Sequence, residues 1–354
     1  MKRFHKKRTI LLALFFYLFI FSVAAVHARA QRPAGSVRVD SIYSKHLENK
    51  FGENPTREVS VYLPPGYEES GRRYPVIYFL HGFMGDNKML QMMVDILDYA
   101  LDNRKIRPFI MVIPDEKTTY EGSFYSNSGI FGNWEDFTAY DLVEYMDKNY
   151  RTLPQKESRG ITGHSMGGYG AIKLAMHHPD IFSTVYAVSP GALAIVREYG
   201  PNSDTYKELA TIRTHEELAK TYFGKVIVAF AKSWSPNPDN PPFYCDLPFQ
   251  YRGEELTVNK EVLKKWYANM PLYMIDDNLD NLRSLRAIKL DWGRNAGERF
   301  TIQCEMFSQR LENAGVNHFA EEYIGTHGNN IYTKEGRIPN QVLPFFDSYL
   351  EFEE

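Results

Sequence analysis

The sequence predicts an α/β fold in which a mostly parallel β-sheet is covered by helices on both faces. Short, continuous apolar runs of strand length alternate along the chain with longer segments whose apolar residues recur at helical spacing. Parallel strands that are buried on both faces produce such uninterrupted runs, because neither face meets water. The alternation of the two kinds of segment therefore favours a sheet with helices on either side.

The predicted strands follow one another at intervals along the chain. Glu58–Leu63 alternates apolar and polar residues, as an edge or antiparallel strand does, and Pro64-Pro65-Gly66 ends it with turn-forming residues. The other predicted strands are short apolar runs that suit the interior of a sheet. They are Val76–Leu80, Phe109–Ile113, Gly160–Thr162, Thr184–Val188, Ala287–Leu290 and His318–Tyr323.

Helical segments lie between and after these strands. Those with helical spacing are Met89–Leu101, Trp134–Tyr150, Gly168–His177, Gln303–Ala314 and a last one near Gln341–Glu351. The alternation is interrupted from about Ala192 to Arg283, where helical pieces and a Pro- and Asn-rich stretch occur without a convincing buried strand. Because connections of this length are usually functional, we predict a cap or lid at about residues 192–283, inserted into the core domain.

The first thirty residues have the layout of a secretory signal peptide. A basic segment from Lys2 to Arg8 precedes an apolar run, Ile10–Val26, which ends in the small-residue pattern Ala28-Arg29-Ala30. We therefore expect export to the periplasm or the medium, with cleavage after Ala30 and a single elaborated domain at residues 31–354. An uncleaved membrane anchor is the alternative, since the run approaches the length of a spanning helix.

Charge and cysteine content exclude several classes of partner. Removing residues 1–30 with their six basic residues takes the formal net charge from −3 to −9, which argues against nucleic acid and against anionic membranes as partners. Cys245 and Cys304 either form a disulfide in an oxidising compartment or remain two buried thiols. No Cys and His cluster has the spacing of a zinc site, and no cofactor is expected. The oligomeric state stays open.

Gly163-His164-Ser165-Met166-Gly167 matches the pattern G-x-S-x-G between a predicted strand and a predicted helix. In this motif the serine lies on a tight, strained turn, and the glycines on either side leave room for that turn. The first N–H groups of the following helix point towards the same place and stabilise negative charge there. Ser165 is therefore the predicted nucleophile.

A second backbone donor is expected beside that of Met166, because an oxyanion needs two hydrogen bonds in such sites. His81-Gly82-Phe83 follows the predicted strand Val76–Leu80, and Gly82 allows the backbone to turn its amides inward. We predict an oxyanion hole formed by the N–H groups of Phe83 and Met166.

The predicted general base is His327. It lies between Gly325 and Gly328 in a loop directly after the strand His318–Tyr323, at the carboxyl end of the sheet, where such folds place ligands. Of the other histidines, His177 and His178 stand at a helix end, where a capping role is expected.

These motifs together resemble the putative-esterase family of α/β-hydrolases, which includes esterase D-like, feruloyl, acetyl-xylan and enterochelin esterases and mycolyltransferases. The resemblance runs from about Val59 to Tyr349. It rests on the segments at residues 61–67 (VYLPPGY), 78–82 (YFLHG), 124–128 (FYSNS), 163–168 (GHSMGG) and 322–328 (EYIGTHG). It implies an α/β-hydrolase fold and a serine carboxylesterase with the roles assigned above.

The third member of the expected catalytic triad is where the chain departs from the family. The family places an Asp in the loop after the penultimate strand, but here that loop has Ala296 near the expected position. A carboxylate is needed there to orient the histidine and to stabilise its charged form. We choose Glu298, with Asp291 and Asn295 as alternatives; loss of the acid is a further alternative.

For the substrate, the sequence predicts a class of ester and not a particular compound. By analogy with the family, Trp134 and Tyr125 are candidate substrate-binding residues, although core packing explains them equally well. Export and the resemblance suggest acyl or feruloyl esters on carbohydrate, in a small molecule or a polysaccharide. The alternatives are acyl transfer to a sugar acceptor, a siderophore esterase, and a non-catalytic carbohydrate-binding protein on the same scaffold.

Overall fold

An eight-stranded sheet runs through the centre of the computed structural model, which describes residues 34–354. The predicted signal peptide at residues 1–30 and its cleavage site lie outside the described residues. Within residues 34–354, no helix has the length and apolar character that crossing a membrane requires.

The sheet has the strand order β1-β2-β4-β3-β7-β8-β11-β12. Its strands are β1 (Ser36–Tyr43), β2 (Thr56–Leu63), β3 (Val76–Leu80), β4 (Ile110–Pro114), β7 (Arg159–His164), β8 (Thr184–Val188), β11 (Ala287–Gly293) and β12 (Phe319–Tyr323). β2 pairs antiparallel with both β1 and β4, and every other neighbouring pair is parallel. The predicted mostly parallel sheet is therefore confirmed, with β1 as an additional antiparallel edge strand.

Two small hairpins lie outside this sheet. One joins β5 (Asn127–Ser128) to β6 (Gly132–Asn133), and the other joins β9 (Phe249–Arg252) to β10 (Glu255–Val258).

The helices of the described chain lie between and around the strands. They are α1 (Tyr67–Ser70), α2 (Met89–Asp102), α3 (Trp134–Asp136), α4 (Leu142–Asn149), α5 (Met166–His177), α6 (Asp204–Leu209), α7 (His215–Ala219), α8 (Tyr222–Trp234), α9 (Lys260–Tyr267), α10 (Pro271–Met274), α11 (Leu279–Ser284), α12 (Glu298–Asn313) and α13 (Leu343–Tyr349). Single turns of 3₁₀-helix occur at Lys45–Leu47, Lys156–Ser158 and Asp276–Asn278. A π-helical turn, Phe137–Asp141, joins α3 to α4, and a second, Ile338–Val342, leads into α13.

Strand β3 shows why the apolar runs of the sequence form the interior of the sheet. Ile77 and Phe79 point into the core on the face covered by α2 and α13, whereas Tyr78 and Leu80 point into the core on the opposite face. All of its side chains are buried, because successive residues of a strand face opposite sides and both sides carry helices.

The chain between β8 and β11 includes the predicted insertion at residues 192–283. It contains the helices α6 to α11 and the half-exposed hairpin β9–β10, which the sequence did not predict. Aromatic side chains from this segment, among them Phe230, Trp234 and Trp266, pack into the core on the α5 face of the sheet. The segment therefore forms part of the same hydrophobic core that supports α5.

Cys245 and Cys304 are both buried and form no disulfide with each other. Cys304 lies on α12, where its thiol approaches the backbone oxygen of Pro190, and Cys245 lies in the inserted segment. Of the two alternatives, the structure therefore shows two buried thiols.

The stability of the α13 face can be tested at Phe346. Its ring is fully buried and packs on β7 at Gly160, where an added Cβ would lie 2.4 Å from the ring. We expect Phe346→Ala to lower the free energy of unfolding by about 3–5 kcal/mol, since it removes a buried ring and leaves a cavity. Phe319→Ala is the matched control, because the Phe319 side chain is half exposed. Denaturant unfolding of both variants measures the difference, and equal losses would contradict this packing.

Candidate active site

Ser165 lies on the turn between β7 and α5 with a backbone conformation that is rare for a residue with a side chain. Its φ is 60° and its ψ is −115°. The turn is possible because the chain passes very close to β3 on both sides of the serine. A Cβ on Gly167 would lie 1.9 Å from the backbone oxygen of Leu80, and one on Gly163 would lie 2.5 Å from the same atom. Only glycine fits at either position, so the motif residues hold the serine above the sheet.

The structure brings His327 to this serine. Its Nε2 lies 2.8 Å from the Ser165 Oγ, although 162 residues separate the two in the chain. His327 belongs to the loop that follows β12, and the fold places that loop at the carboxyl end of the sheet next to the elbow. The direction of this hydrogen bond depends on the tautomer of the ring; in the tautomer that a general base requires, Nε2 carries no proton and accepts from the Ser165 hydroxyl.

Three contacts fix the loop that carries His327. The backbone of Gly325 passes so close to Gly293 at the end of β11 that a Cβ there would lie 2.5 Å from the Gly325 oxygen. The Nε2 of His164 donates to the backbone oxygen of His327 at 2.7 Å. The ring of Phe300 stacks on the His327 imidazole at a centroid distance of 3.5 Å and an interplanar angle of 15°. The backbone of the His327 loop is therefore fixed by two contacts, and one face of the imidazole is fixed by the Phe300 ring.

Among the described residues, the other ring nitrogen of His327 contacts a hydroxyl and no carboxylate. Its Nδ1 lies 3.0 Å from the Oγ of Ser189, which is the first residue after β8 and is fully buried. In the tautomer in which Nε2 accepts from Ser165, the proton of the neutral ring lies on Nδ1 and is donated to the Ser189 hydroxyl. Ser189, with a φ of 43°, thus makes the contact with Nδ1 that an acid makes in a catalytic triad, although it follows β8 and not the penultimate strand.

The assignment of Glu298 as the triad acid is corrected by this geometry. Glu298 is the first residue of α12, its side chain is exposed, and it makes no hydrogen bond or ion pair with His327. The helix begins there and directs Phe300, two residues later, onto the imidazole instead. Asn295 is also exposed, and its backbone N–H donates to the oxygen of Gly325 at 2.8 Å.

Asp291 is the buried carboxylate of this region, but its hydrogen bonds lie elsewhere. It accepts from the hydroxyl of Tyr186 at 2.6 Å and from the guanidinium of Arg337. One carboxylate oxygen lies 3.4 Å from the backbone nitrogen of Ser189. Asp291 therefore contacts the backbone of the residue that supports His327, while Arg337 balances its charge.

The electrostatic environment keeps both histidines of the site neutral. Burial lowers the pKa of His327 far below its ordinary value, and electrostatic repulsion from His164, when that ring is protonated, and from Arg299 acts in the same direction. Burial lowers the pKa of His164 to about 4. His327 is thus an unprotonated base at neutral pH, and within residues 34–354 no carboxylate contacts its ring to stabilise the charged form.

The oxyanion loop is oriented by a residue whose role the sequence did not predict. His81 is fully buried; its Nε2 accepts from the N–H of Glu116 at 2.9 Å, so its Nδ1 carries the proton and donates to the oxygen of Gly82 at 2.9 Å. In a trans peptide the C=O and N–H groups point in opposite directions. Fixing the Gly82 oxygen therefore directs the Phe83 N–H away from His81.

The N–H groups of Phe83 and Met166 both lack a hydrogen-bond acceptor among the described residues. Met166 is the first residue of α5, where the N–H has no partner within the helix. A Cβ on Gly82 would lie 3.6 Å from the Cβ of Ser165, so the oxyanion loop lies directly beside the nucleophile.

A cleft next to Ser165 is lined mainly by aromatic side chains from the core domain and from the inserted segment. Its lining consists of Phe83, Phe124, Ser165, Met166, Gly191, Ala192, Tyr199, Tyr222, Phe223, Val226, Phe230, Arg299 and Phe300. Trp134 and Tyr125 are not among these residues, which corrects their assignment to substrate binding. Both are buried in the core, where Tyr125 donates to the oxygen of His81 and Trp134 to that of Phe131.

Sequence reasoning missed Ser189, His81 and Arg299 as parts of the site. A signal for Ser189 is present, because it directly follows a buried strand next to the strand of the nucleophile, where polar residues of such sheets converge. No group of three or more His, Cys, Asp or Glu side chains that could hold a metal ion occurs in the described part of the chain.

Comparison with known sequences identifies esterases as relatives of this chain. The family described as "Putative esterase" matches residues 52–335. An esterase of Mycobacterium tuberculosis is 34% identical over 295 residues, covering 80% of this chain and 55% of that protein. The chain therefore spans about half the length of this curated relative. A xylanase/feruloyl esterase of Xylanibacter ruminicola is 32% identical over 139 residues, which cover 35% of this chain and 18% of that protein.

Solved structures show the same fold. A ferulic acid esterase superimposes with a TM-score of 0.60 and 22% identity, over 90% of this chain and 99% of its own. An S-formylglutathione hydrolase from Agrobacterium tumefaciens superimposes with a TM-score of 0.60 and 15% identity, over 90% of this chain and 96% of its own. The predicted α/β-hydrolase fold is confirmed, and, by its match over residues 52–335, the chain belongs to the putative esterase family.

Proposed function

We propose that this protein is a carboxylic ester hydrolase that works through an acyl-enzyme on Ser165. The distance of 2.8 Å between the Ser165 Oγ and the His327 Nε2 carries this proposal, because a strained serine beside a neutral imidazole forms an activated nucleophile. Membership of the esterase family, and relatives named esterase and feruloyl esterase, support the same reaction class.

In the first half of the reaction the Ser165 oxygen attacks the ester carbonyl carbon and its proton passes to His327 Nε2. The N–H groups of Phe83 and Met166 donate to the carbonyl oxygen as it becomes an oxyanion. The imidazolium then gives the Nε2 proton to the oxygen of the leaving alcohol as the carbon–oxygen bond breaks. The acyl group stays on Ser165, and His327 is again neutral.

In the second half a water molecule gives one proton to His327 Nε2 and attacks the acyl carbon. The tetrahedral intermediate collapses, the acid leaves, and Ser165 recovers its proton from the imidazolium. In both halves the Nδ1–H of His327 donates to Ser189. A hydroxyl is a weaker acceptor for a charged donor than a carboxylate, so we propose a Ser165–His327 dyad that Ser189 orients.

The cleft beside Ser165 supports substrates with a planar or apolar group next to the ester. Aromatic side chains such as Phe124, Tyr199 and Phe230 form most of its walls. Aromatic acyl esters on carbohydrate, of the feruloyl type, have this chemistry. We further propose that the enzyme acts outside the cytoplasm, on the grounds of the signal-peptide pattern at residues 1–30.

The nucleophile can be tested with a short-chain p-nitrophenyl ester. We expect Ser165→Ala to lower kcat by at least about 10⁴-fold, in the range seen when a triad member is removed from other serine hydrolases. Ser348→Ala is the control, since Ser348 is an exposed serine on α13. A neutral organophosphonate that reacts with activated serines should label wild type but not Ser165→Ala, as mass spectrometry of the tryptic peptides can show. Equal turnover by wild type and Ser165→Ala would rule out the proposed mechanism.

The role of Ser189 can be tested by removing its hydroxyl. We expect Ser189→Ala to lower kcat about 10- to 100-fold with little change in KM, because a hydrogen bond to a charged group contributes about 1.5–3 kcal/mol. Ser189→Gly is a second variant, since glycine adopts the φ of 43° without strain. Thermal unfolding of both variants separates a folding defect from a catalytic one. Unchanged kcat in folded Ser189→Ala would show that His327 needs no support at Nδ1.

The pH dependence of the reaction follows from the lowered pKa of His327. A histidine acts as a base only when it is neutral, which it is above its pKa, so a lowered pKa extends activity towards acid pH. We expect the acid limb of kcat/KM to lie at least one pH unit below the ~6.5 of free imidazole. Circular dichroism at each pH, and full recovery of activity at neutral pH, exclude acid unfolding as a cause. An acid limb at or above pH ~6.5 would contradict the described environment of His327.

A further inference from the structure

Arg299 is the one charged residue among the described residues that line the cleft beside Ser165. It is the second residue of α12 and directly precedes Phe300, whose ring stacks on His327. Its side chain is half-buried. Its positive charge is the last of three causes that lower the pKa of His327, after burial and His164.

The guanidinium of Arg299 is held by rings and has no counter-charge within residues 34–354. Its carbon lies 4.9 Å from the ring centroid of Phe223 and 4.8 Å from that of Phe300, within the range of cation–π contacts. No side-chain hydrogen bond or ion pair of Arg299 occurs in this part of the chain, and Glu298, which precedes it, does not pair with it. Its N–H donors are therefore available to a ligand.

A half-buried arginine with no acidic partner, such as Arg299, is unusual in proteins. Arginine side chains that leave water normally find a carboxylate or phosphate, because an unpaired charge loses solvation without compensation. Here Phe223 and Phe300 cover part of the guanidinium but supply no acceptor for its five N–H donors. The missing acceptor fits a negatively charged group of the substrate, and the planar guanidinium suits a carboxylate that binds with both oxygens.

From this geometry we infer that the substrates of the enzyme are esters that carry a carboxylate close to the ester bond, and that Arg299 binds this carboxylate. The inference rests on the proposed esterase function and adds a substrate class to it. The carboxylate can belong either to the acyl part, as in a half-ester of a dicarboxylic acid, or to the alcohol part, as in an ester of a hydroxylated aromatic or sugar acid. Both present the same group to Arg299.

Two matched substrate pairs separate these sources. The acyl pair is mono-p-nitrophenyl glutarate and p-nitrophenyl valerate, which have acyl chains of the same length. The alcohol pair is para-acetoxybenzoate and para-acetoxybenzamide, which differ in one charge. For each substrate, kcat/KM is measured for wild type, Arg299→Gln and Arg299→Lys at about pH 8, where His327 is neutral in all three proteins. The ratio of wild type to variant cancels the intrinsic reactivity of each ester.

We expect Arg299→Gln to lower kcat/KM about 10- to 100-fold more for the charged member of at least one pair than for its neutral partner, since a charge-assisted hydrogen bond is lost. The pair that responds identifies the part of the substrate that bears the carboxylate. Arg299→Lys should retain part of the preference, because it keeps the charge but not the two-pronged geometry. Added salt should weaken the wild-type preference.

The inference is overturned if Arg299→Gln changes kcat/KM equally for the charged and the neutral member of both pairs. Hydrolysis of the neutral esters serves as the internal control for folding and for the catalytic dyad. Failure of the proposed function has a different signature, because Ser165→Ala would then hydrolyse the neutral esters as fast as wild type. The two results can therefore be told apart in the same set of assays.

Discussion

The close packing of the serine turn against the end of β3 is the constraint on which the rest of the site depends. Gly167 and Gly163 approach the Leu80 oxygen so closely that no side chain fits at either position. The approach fixes the strained backbone of Ser165 and starts α5 at Met166, whose N–H is left without a partner. Since β3 also leads into the oxyanion loop, one contact sets the relative position of the nucleophile and of both proposed oxyanion donors. Backbone strain of this kind costs of order 1–3 kcal/mol, and the buried sheet on both sides of β3 is what maintains it.

The position of the catalytic base His327 depends on several contacts instead of one, and the residues that make them come from four separate segments of the chain. His164 donates a hydrogen bond to the backbone oxygen of His327, and the ring of Phe300 stacks on the imidazole. Ser189 accepts a hydrogen bond from Nδ1–H, and Gly293, which has no side chain, allows the loop of His327 to pass close to β11. These contacts orient the imidazole but provide no negative charge. Orientation and charge stabilisation, which a single aspartate supplies together in a triad, are thus separated here. The geometry of a serine hydrolase is retained while the imidazolium formed in each proton transfer has a weaker partner.

The sequence predicts the buried parts of this molecule well, because burial on both faces leaves continuous apolar runs that bound the central strands. Strand β1 has no continuous apolar run, since only one of its eight residues is buried. The hairpin β9–β10 of the inserted segment is also largely exposed and has no such run. In the site, Ser165 and His327 follow from local patterns, a glycine-flanked turn and a glycine-flanked loop. The choice of Glu298 failed because nearness in sequence does not tell which way the start of a helix points. In the sequence, Ser189 is a serine before a proline with no motif around it. It lies next to the imidazole because β8, which it follows, is the neighbour of β7 in the sheet.

The pairing of Asp291 with Arg337 has a consequence for the charge that surrounds His327. A carboxylate is present one residue away from the imidazole, yet a guanidinium from the segment before α13 occupies it. The buried carboxylate of this region is thus paired with a permanently charged guanidinium, so the transient imidazolium of His327 forms beside a hydroxyl. The residue that neutralises the buried acid therefore shapes the electrostatics of the site as much as the acid itself does.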